Sequence, residues 1–407
     1  MARRRFYAIV LRLAAVCIGL LLGAVVMEGT FRVLESREQA QRRDEGAACG
    51  ITPDPRWGWR LKVGECRQRD PEFDATLTNN SLFMNDEPFV PGADDEKTRI
   101  LALGDSHTQA LGVSTLKTWP KALQRGLNQA HGEGAFRVYN AGVVGYNLHQ
   151  YLLRLMDQGP TVKPNYVVLG FGFPSDLYDL LPPSHGGWHF FTPLPRDYFD
   201  FGESGRLVQK HWDPPAPVTG GGVAATPGKA PAATRVRALL GNFATFRYLR
   251  RSNLALAIGA RVRVGGESLW PNMEVVLEKD VSPEHEYNWR LAKALVEQIN
   301  VESNKLGATL VVLGIPYLPQ VYDETWRSTF GNNPRYDRDA GPTRLKAWLD
   351  SKGIAYVESV DALRTHVRAT GRWVHFRKDA HPTDEGHAII AGTLVESGLF
   401  VPVKKTP

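Results

Sequence analysis

Two short blocks, far apart in the chain, carry residue types that together make an activated nucleophile. Gly104-Asp105-Ser106-His107-Thr108 places a serine directly after an apolar run, and Asp379-Ala380-His381-Pro382-Thr383 places a histidine two residues after a carboxylate. A serine hydroxyl is a weak nucleophile until a base takes its proton, and an imidazole does this best when a carboxylate fixes its tautomer. The chemistry expected is acyl transfer, with Ser106 as nucleophile, His381 as general base and Asp379 as its orienting carboxylate. Two further blocks lie between them: Asn140-Ala141-Gly142-Val143-Val144-Gly145-Tyr146-Asn147 and Gly172-Phe173-Pro174-Ser175-Asp176-Leu177. A glycine lets a backbone N–H approach a ligand without a side chain in the way, so Gly145 is a candidate oxyanion donor. His107, next to the nucleophile, is a candidate to touch substrate.

These blocks need a scaffold that brings them to one edge. Apolar runs and amphipathic stretches alternate from Arg99 onward: strand 99–104, helix 116–130, strand 136–140, helix 148–158 and strand 165–171. After an interruption the pattern resumes with helix 283–305, strand 308–315, helix 343–351, strand 354–357 and helix 383–394. Alternation of this kind predicts an α/β fold, a three-layer α/β/α sandwich with a central parallel, flavodoxin-like sheet. In such a sheet ligands sit beyond the carboxyl ends of the strands, where the Ser106 block falls.

The four blocks, in this order and on these elements, resemble the SGNH/GDSL hydrolase superfamily over about Arg99 to Leu399, apart from the insertion. The resemblance implies the SGNH hydrolase fold, Ser106 as nucleophile, and an oxyanion hole formed by the Ser106 N–H, Gly145 and a residue of the third block. The family asparagine of that block is replaced by Ser175, so either its hydroxyl donates, a neighbour such as Asn147 supplies the missing contact, or turnover is low. The family's usual D-x-x-H spacing would put Lys378 at the aspartate position, whereas the chain offers D-x-H. With Thr383 this D-x-H-x-T run is similar to that of membrane-associated polysaccharide O-acetyltransferases.

The first residues bear on the compartment. Arg3, Arg4 and Arg5 precede Phe6 to Met27, which is apolar except for Arg12. At about 1.5 Å per residue this stretch crosses a bilayer core of roughly 30 Å, with its basic end on the cytoplasmic side. Leu13 to Val26 would also serve as the apolar core of a cleaved signal peptide, but no small-residue cleavage site follows, so residues 1–39 are expected to be a tip and an uncleaved membrane anchor, with the remainder extracytoplasmic. Cys49 and Cys66 could close a disulfide within a lead-in over residues 40–98, read as irregular with two short strands and given no chemistry. A hydrolase domain over 99–399 follows, interrupted by an insertion at 181–282.

Composition is that of an ordinary globular chain: 43% hydrophobic and 23% charged, which excludes global disorder. The formal net charge of +6 is local in origin. The window Pro214 to Gly266 holds Lys229, Arg235, Arg237, Arg247, Arg250, Arg251, Arg261 and Arg263 and no acidic residue. Its first part, Pro214 to Thr234, reads as a mobile Pro, Gly and Ala loop. Its second reads as a basic amphipathic stretch suited to an anionic surface or an acidic polysaccharide, or simply as a solvated helix face. His185, His189, His366, His375 and His387 show no metal-ligand spacing, and no metal, cofactor or nucleic-acid partner is expected. The function expected is an extracytoplasmic serine esterase acting on an acyl ester of an envelope glycan or lipid. The alternatives are an O-acetyltransferase of a surface polysaccharide using the same residues, and a non-catalytic carbohydrate-binding protein.

Overall fold

The computed structural model describes residues 50–182, 185, 194–214, 273–331 and 333–403, together with 16, 19, 22–33 and 36. The chain divides into two units. One comprises Met1–Asp44 and Ala216–Gly266; within it residues 22–33 are helical. Most of the expected span Phe6–Met27 and the Arg-rich window lie outside the described residues. Among the described residues no helix is long and apolar enough to cross a membrane. The other unit, Glu45–Pro215 and Glu267–Pro407, holds all that follows.

It begins with two antiparallel hairpins, β1 (Ile51–Asp54) with β2 (Gly58–Leu61), and β3 (Gly64–Asp70) with β4 (Phe73–Asn79). The lead-in is therefore more regular than its sequence suggests, and it belongs to the same unit as the sheet. Cys66, on β3, is disulfide-bonded, while Cys49 lies outside the described residues.

The sheet follows. β5 (Thr98–Leu103) leads into a one-turn helix α1 (Ser106–Gln109), then α2 (Trp119–His131), β6 (Phe136–Asn140), α3 (Leu148–Val162), β7 (Tyr166–Gly172) and α4 (Phe173–Leu177). The insertion contributes a hairpin, β8 (Arg196–Phe201) with β9 (Leu207–Trp212), and the short α5 (Glu274–Leu277). The chain then returns through α6 (Pro283–Lys305), β10 (Thr309–Ile315), α7 (Leu318–Val321), α8 (Asp323–Thr329), α9 (Ala340–Ser351), β11 (Ala355–Glu358), α10 (Val360–Thr370) and α11 (Asp384–Glu396).

Five strands pair in parallel in the order β6-β5-β7-β10-β11, with Ile100 opposite Val138, Leu101 opposite Val167, and Leu169 opposite Val312. Alternation along β5 sends Leu101 and Leu103 to the face covered by α3 and α6, and Ile100 and Ala102 to the face covered by α2 and α11. Every residue of β7 is buried, as a central parallel strand requires. Each large aliphatic side chain so buried contributes about 1.5–3 kcal/mol. After β6 the chain crosses back over β5 to add β7, so the strand order reverses there and opens a crevice at the carboxyl ends of β5 and β7.

Two differences from the periodicity have physical reasons. The helix expected to stop at 158 continues through Pro160 to Val162. Proline removes one backbone hydrogen bond, but burying Val162, 2% exposed, offsets that loss, and Lys163 N–H closes the end on Gly159 O. Helix α10 carries little sequence signal because its apolar face is only Val360, Leu363 and Val367 among charged residues, and Arg364 is buried beside Val360 and Leu363.

Candidate active site

Ser106 opens α1 immediately beyond β5. The Asp105 side chain caps this turn by accepting the His107 N–H at 2.8 Å, and Ala110, left-handed at φ 69°, ends it. The β6 loop packs directly onto the same turn. A Cβ at Gly142 would lie 2.3 Å from Gln109 N, so only glycine allows this approach. Val143 N–H bonds Gly104 O at 3.1 Å and Val144 N–H bonds Gln109 Oε1 at 2.6 Å. The next residue, Gly145, sits at φ 75° in the turn closed by Tyr146 N–H on Val143 O. The flanking amides are thus engaged, and the Ser106 N–H at the head of α1 lacks an intrahelical partner.

His381 lies in the loop between α10 and α11, and its Nε2 is 2.7 Å from Ser106 Oγ. Its Nδ1 pairs with Asp379 Oδ1. Burial raises the Asp379 carboxyl, but the hydrogen bond and charge of His381 outweigh this and hold it below the ordinary carboxylate range. An ionised carboxylate at Nδ1 places the ring proton there and leaves Nε2 free to accept the serine proton. The His381 side chain is 14% exposed, so the hydroxyl it faces remains reachable. Thr383, the last residue of the D-x-H-x-T run, is the N-cap of α11 and accepts the Gly386 N–H.

Ser175 and Asn147 are placed differently from the sequence expectation. Ser175 Oγ donates to Asp105 Oδ2 at 2.6 Å and lies 3.0 Å from Gly172 O, so its single proton is directed at these acceptors and not at an oxyanion. Asn147 is the N-cap of α3: its Oδ1 accepts the His149 N–H, its Nδ2 donates to Asp179 O at 2.8 Å, and Gln150 completes a capping box. The Asn147 amide is thus held in the cap of α3 at both ends, and the residue is only 4% exposed. His107 is 3% exposed, its ring tilted against those of Tyr317 and His381 with centroids 5.3 and 4.8 Å away, so it is a wall beside His381 and not a surface presented to ligand.

Three carboxylates crowd beneath the serine. Burial raises Asp105, but His107 and the Ser175 hydroxyl reverse this and bring it down to about 2. Asp176, fully buried and facing Asp105, is pushed well above the usual range, and burial beside Asp105 takes Asp179 up to about 7. Only one of these neighbours carries its charge easily, and the hydrogen bonds select Asp105. Of the remaining histidines, His375 and His387 are buried, His366 pairs with Glu385 at 3.1 Å, and His185 stacks on Tyr287. His189 lies outside the described residues. Among the described residues no group of three or more His, Cys, Asp or Glu could hold a metal ion.

One contributor had no signal in the sequence. Glu72, between β3 and β4, accepts backbone N–H groups of Arg377, Lys378 and Asp379, some 305 residues away. A carboxylate at a hairpin tip looks like any solvated turn residue until the fold brings the loop to it.

No protein-family model matches this chain, and no curated protein does. Among solved structures it is similar to an acetyl xylan esterase, AlAXEase, at 11% identity, covering 74% of this chain and 100% of that one with a TM-score of 0.39. It is also similar to a catalytic mutant of Axe2, an acetylxylan esterase from Geobacillus stearothermophilus, at 14% identity, covering 76% and 97% with a TM-score of 0.38. A GDSL-like lipase from Bacteroides thetaiotaomicron matches at 10% identity over 76% and 93%, with a TM-score of 0.35. The chain resembles the SGNH/GDSL superfamily in the order of its four blocks, of which the first three stand at the ends of β5, β6 and β7 and the fourth precedes the last helix.

Proposed function

We propose that this chain is a serine acyl hydrolase that cleaves an ester through an acyl-enzyme on Ser106. The observation that carries the proposal is the line Asp379, His381 Nε2 and Ser106 Oγ, with 2.7 Å between base and nucleophile, at the carboxyl edge of a parallel sheet. His381 Nε2 takes the Ser106 proton as Oγ attacks the acyl carbon. The oxyanion that forms is held by the backbone N–H groups of Ser106 and Gly145. His381 then gives its proton to the departing alcohol; it next takes a proton from water as the water oxygen attacks the acyl carbon, and returns that proton to Ser106 Oγ as the Oγ–acyl bond breaks and the acid leaves.

The substrate we propose is an O-acylated glycan or lipid of the cell envelope, reached from the outer face by a domain tethered through residues 1–39. The arginine-led apolar N-terminus supports this placement, as does the oxidised state of Cys66, since disulfides persist chiefly outside the cytoplasm. Reaction of the purified protein with a fluorophosphonate probe tests the catalytic proposal. Labelling is expected at Ser106 and is expected to vanish in His381→Ala; an unlabelled, folded parent would overturn it. Adding an acetylated donor together with an oligosaccharide acceptor separates hydrolysis from transfer. Release of free acetate without acetylated sugar is expected, and acetyl appearing on the sugar would make the protein a transferase.

A further inference from the structure

The loop that bears Asp379 and His381 is not self-supporting. Ala380, between them, stands at φ 71°, a left-handed conformation that costs a residue with a Cβ roughly 1–2 kcal/mol. The loop turns back on itself through Ala380 N–H to Phe376 O at 3.0 Å and Phe376 N–H to His381 O at 2.8 Å. This tight turn directs three successive amides, those of Arg377, Lys378 and Asp379, outward to one side. Successive N–H groups in such a turn make a concave anion site.

That site is filled by a side chain of the same molecule. Glu72 Oε1 accepts the Arg377 N–H at 2.8 Å, and Oε2 accepts those of Lys378 at 2.7 Å and Asp379 at 3.2 Å. The hairpin that carries Glu72 also grips the segment leading away from Ser106. Gln68 Oε1 accepts the Gly112 N–H at 3.3 Å, Thr76 N–H donates to Ser114 Oγ at 3.1 Å, and Thr78 N–H donates to Thr115 Oγ1 at 2.8 Å. Phe73, the residue after Glu72, packs on Phe376 with ring centroids 5.1 Å apart, and both rings close on Gly112. One hairpin thus touches the chain six residues after the nucleophile and two residues before the base.

We propose that Glu72 is a positioning residue of the active site, and that the β3–β4 hairpin is a clamp that sets the separation of His381 from Ser106. The inference rests on the catalytic role proposed above for that pair. It gives the lead-in a function: the hairpin completes the catalytic unit and does more than connect the N-terminal segment to the sheet. Glu72 touches no reacting atom and acts only through the backbone of residues 377–379.

The experiment compares the full chain with Glu72→Ala, Glu72→Gln and Arg67→Ala, the last removing an exposed ion pair with Asp74 on the same hairpin. A displacement of about 1 Å in a reacting group costs about 10²-fold, so Glu72→Ala is expected to lower kcat on a short acyl ester by ~10- to 100-fold. KM is expected to stay within about twofold, because Glu72 bonds only the backbone of residues 377–379, and fluorophosphonate labelling of Ser106 should slow in parallel. Glu72→Gln keeps one acceptor oxygen and should fall between, at ~3- to 10-fold; Arg67→Ala should match the parent. An independent readout is the low-field proton resonance of His381 Nδ1–H, expected in the parent and in Glu72→Gln and broadened or lost in Glu72→Ala.

Parental kcat and an unchanged resonance in Glu72→Ala would overturn the clamp. So would an equal loss in Arg67→Ala, which would mean that hairpin stability and not the carboxylate is what matters. If Glu72→Ala does not fold, the Glu72→Gln result decides: a kcat loss at constant KM supports the clamp, and parental behaviour refutes it. A parent inert to both ester and probe would instead sink the catalytic proposal, while the resonance would still test the anchor.

Discussion

The molecule contains the same tripeptide pattern twice at one place: Asp105-Ser106-His107 and Asp379-Ala380-His381, with the two imidazoles 4.8 Å apart. In each, a carboxylate faces the Nδ1 of a histidine two residues on, yet the pairs do different work. Ser106 is helical, so its turn carries His107 into the interior, where Nδ1 is 3.4 Å from an Asp105 already occupied by the His107 amide and the Ser175 hydroxyl. Ala380 is left-handed, so its turn leaves His381 at the surface of the crevice, with Asp379 on one nitrogen and Ser106 on the other. Spacing alone does not make a base. The backbone conformation of the middle residue, and whatever enforces it, decides whether Nε2 meets a hydroxyl.

The sharpest way to break this comparison is to delete each imidazole in turn. His381→Ala and Ser106→Ala are expected to lower kcat by roughly 10⁴- to 10⁶-fold with the fold retained. His107→Ala should cost at most about 10²-fold, through loosening of the wall beside His381, and its larger effect should be on stability. Steady-state turnover of a short acyl ester beside urea unfolding checks both. Comparable losses in the two histidine variants would mean that His107 shares the proton transfer and that the pairs are not distinct.

A smaller effect sharpens the role of Asp105. Loss of an oxyanion donor typically costs about 10²- to 10³-fold. Because the Ser175 proton is directed at Asp105 and Gly172 O, Ser175→Ala should lower kcat less than about 10-fold. It should also destabilise the fold by about 1–3 kcal/mol, since a buried carboxylate loses a charge-assisted hydrogen bond. A 10²-fold loss of turnover at unchanged stability would return Ser175 to the oxyanion hole.

The elements that position Ser106 were legible because each is local. A strand of alternating faces, a G-D-S turn and glycines within a few residues report themselves over short windows. The roles of Asn147 and Ser175 are not legible for a related reason: an amide or hydroxyl in the right loop has several nearby backbone groups to satisfy, and cap and turn chemistry competes with ligand contact for the same atoms. The His381 side was only half legible. D-x-H-P before an amphipathic helix marks the residues, but the left-handed Ala380 and its anchor at Glu72 depend on a contact across some 305 residues. A single hairpin carboxylate gives that contact no sequence pattern.

The smallest effect concerns a third histidine beneath the pair. His375 is fully buried, with Tyr322 Oη 3.0 Å from Nδ1 and with the imidazoles of His107 and His381 bearing on it. Burial, and then the neighbouring imidazoles, lower it from the ordinary 6.5 to about 3. Its folded pKa lies below the unfolded one, so between pH 6.5 and 3 the unfolded chain binds a proton that the fold does not, and stability falls as pH falls through this window. His375→Gln removes that linkage. The variant should be less stable than the parent at pH 7.5, and the gap should narrow by about 2 kcal/mol at pH 5.0, read from urea midpoints. A constant gap would mean that His375 takes up its proton in the fold as readily as in the unfolded chain, so that it is a cation at pH 5.0. A cation would then stand beside both D-x-H pairs, disfavouring the imidazolium that His381 must become, and the division of labour between the pairs would have to be rebuilt around that charge.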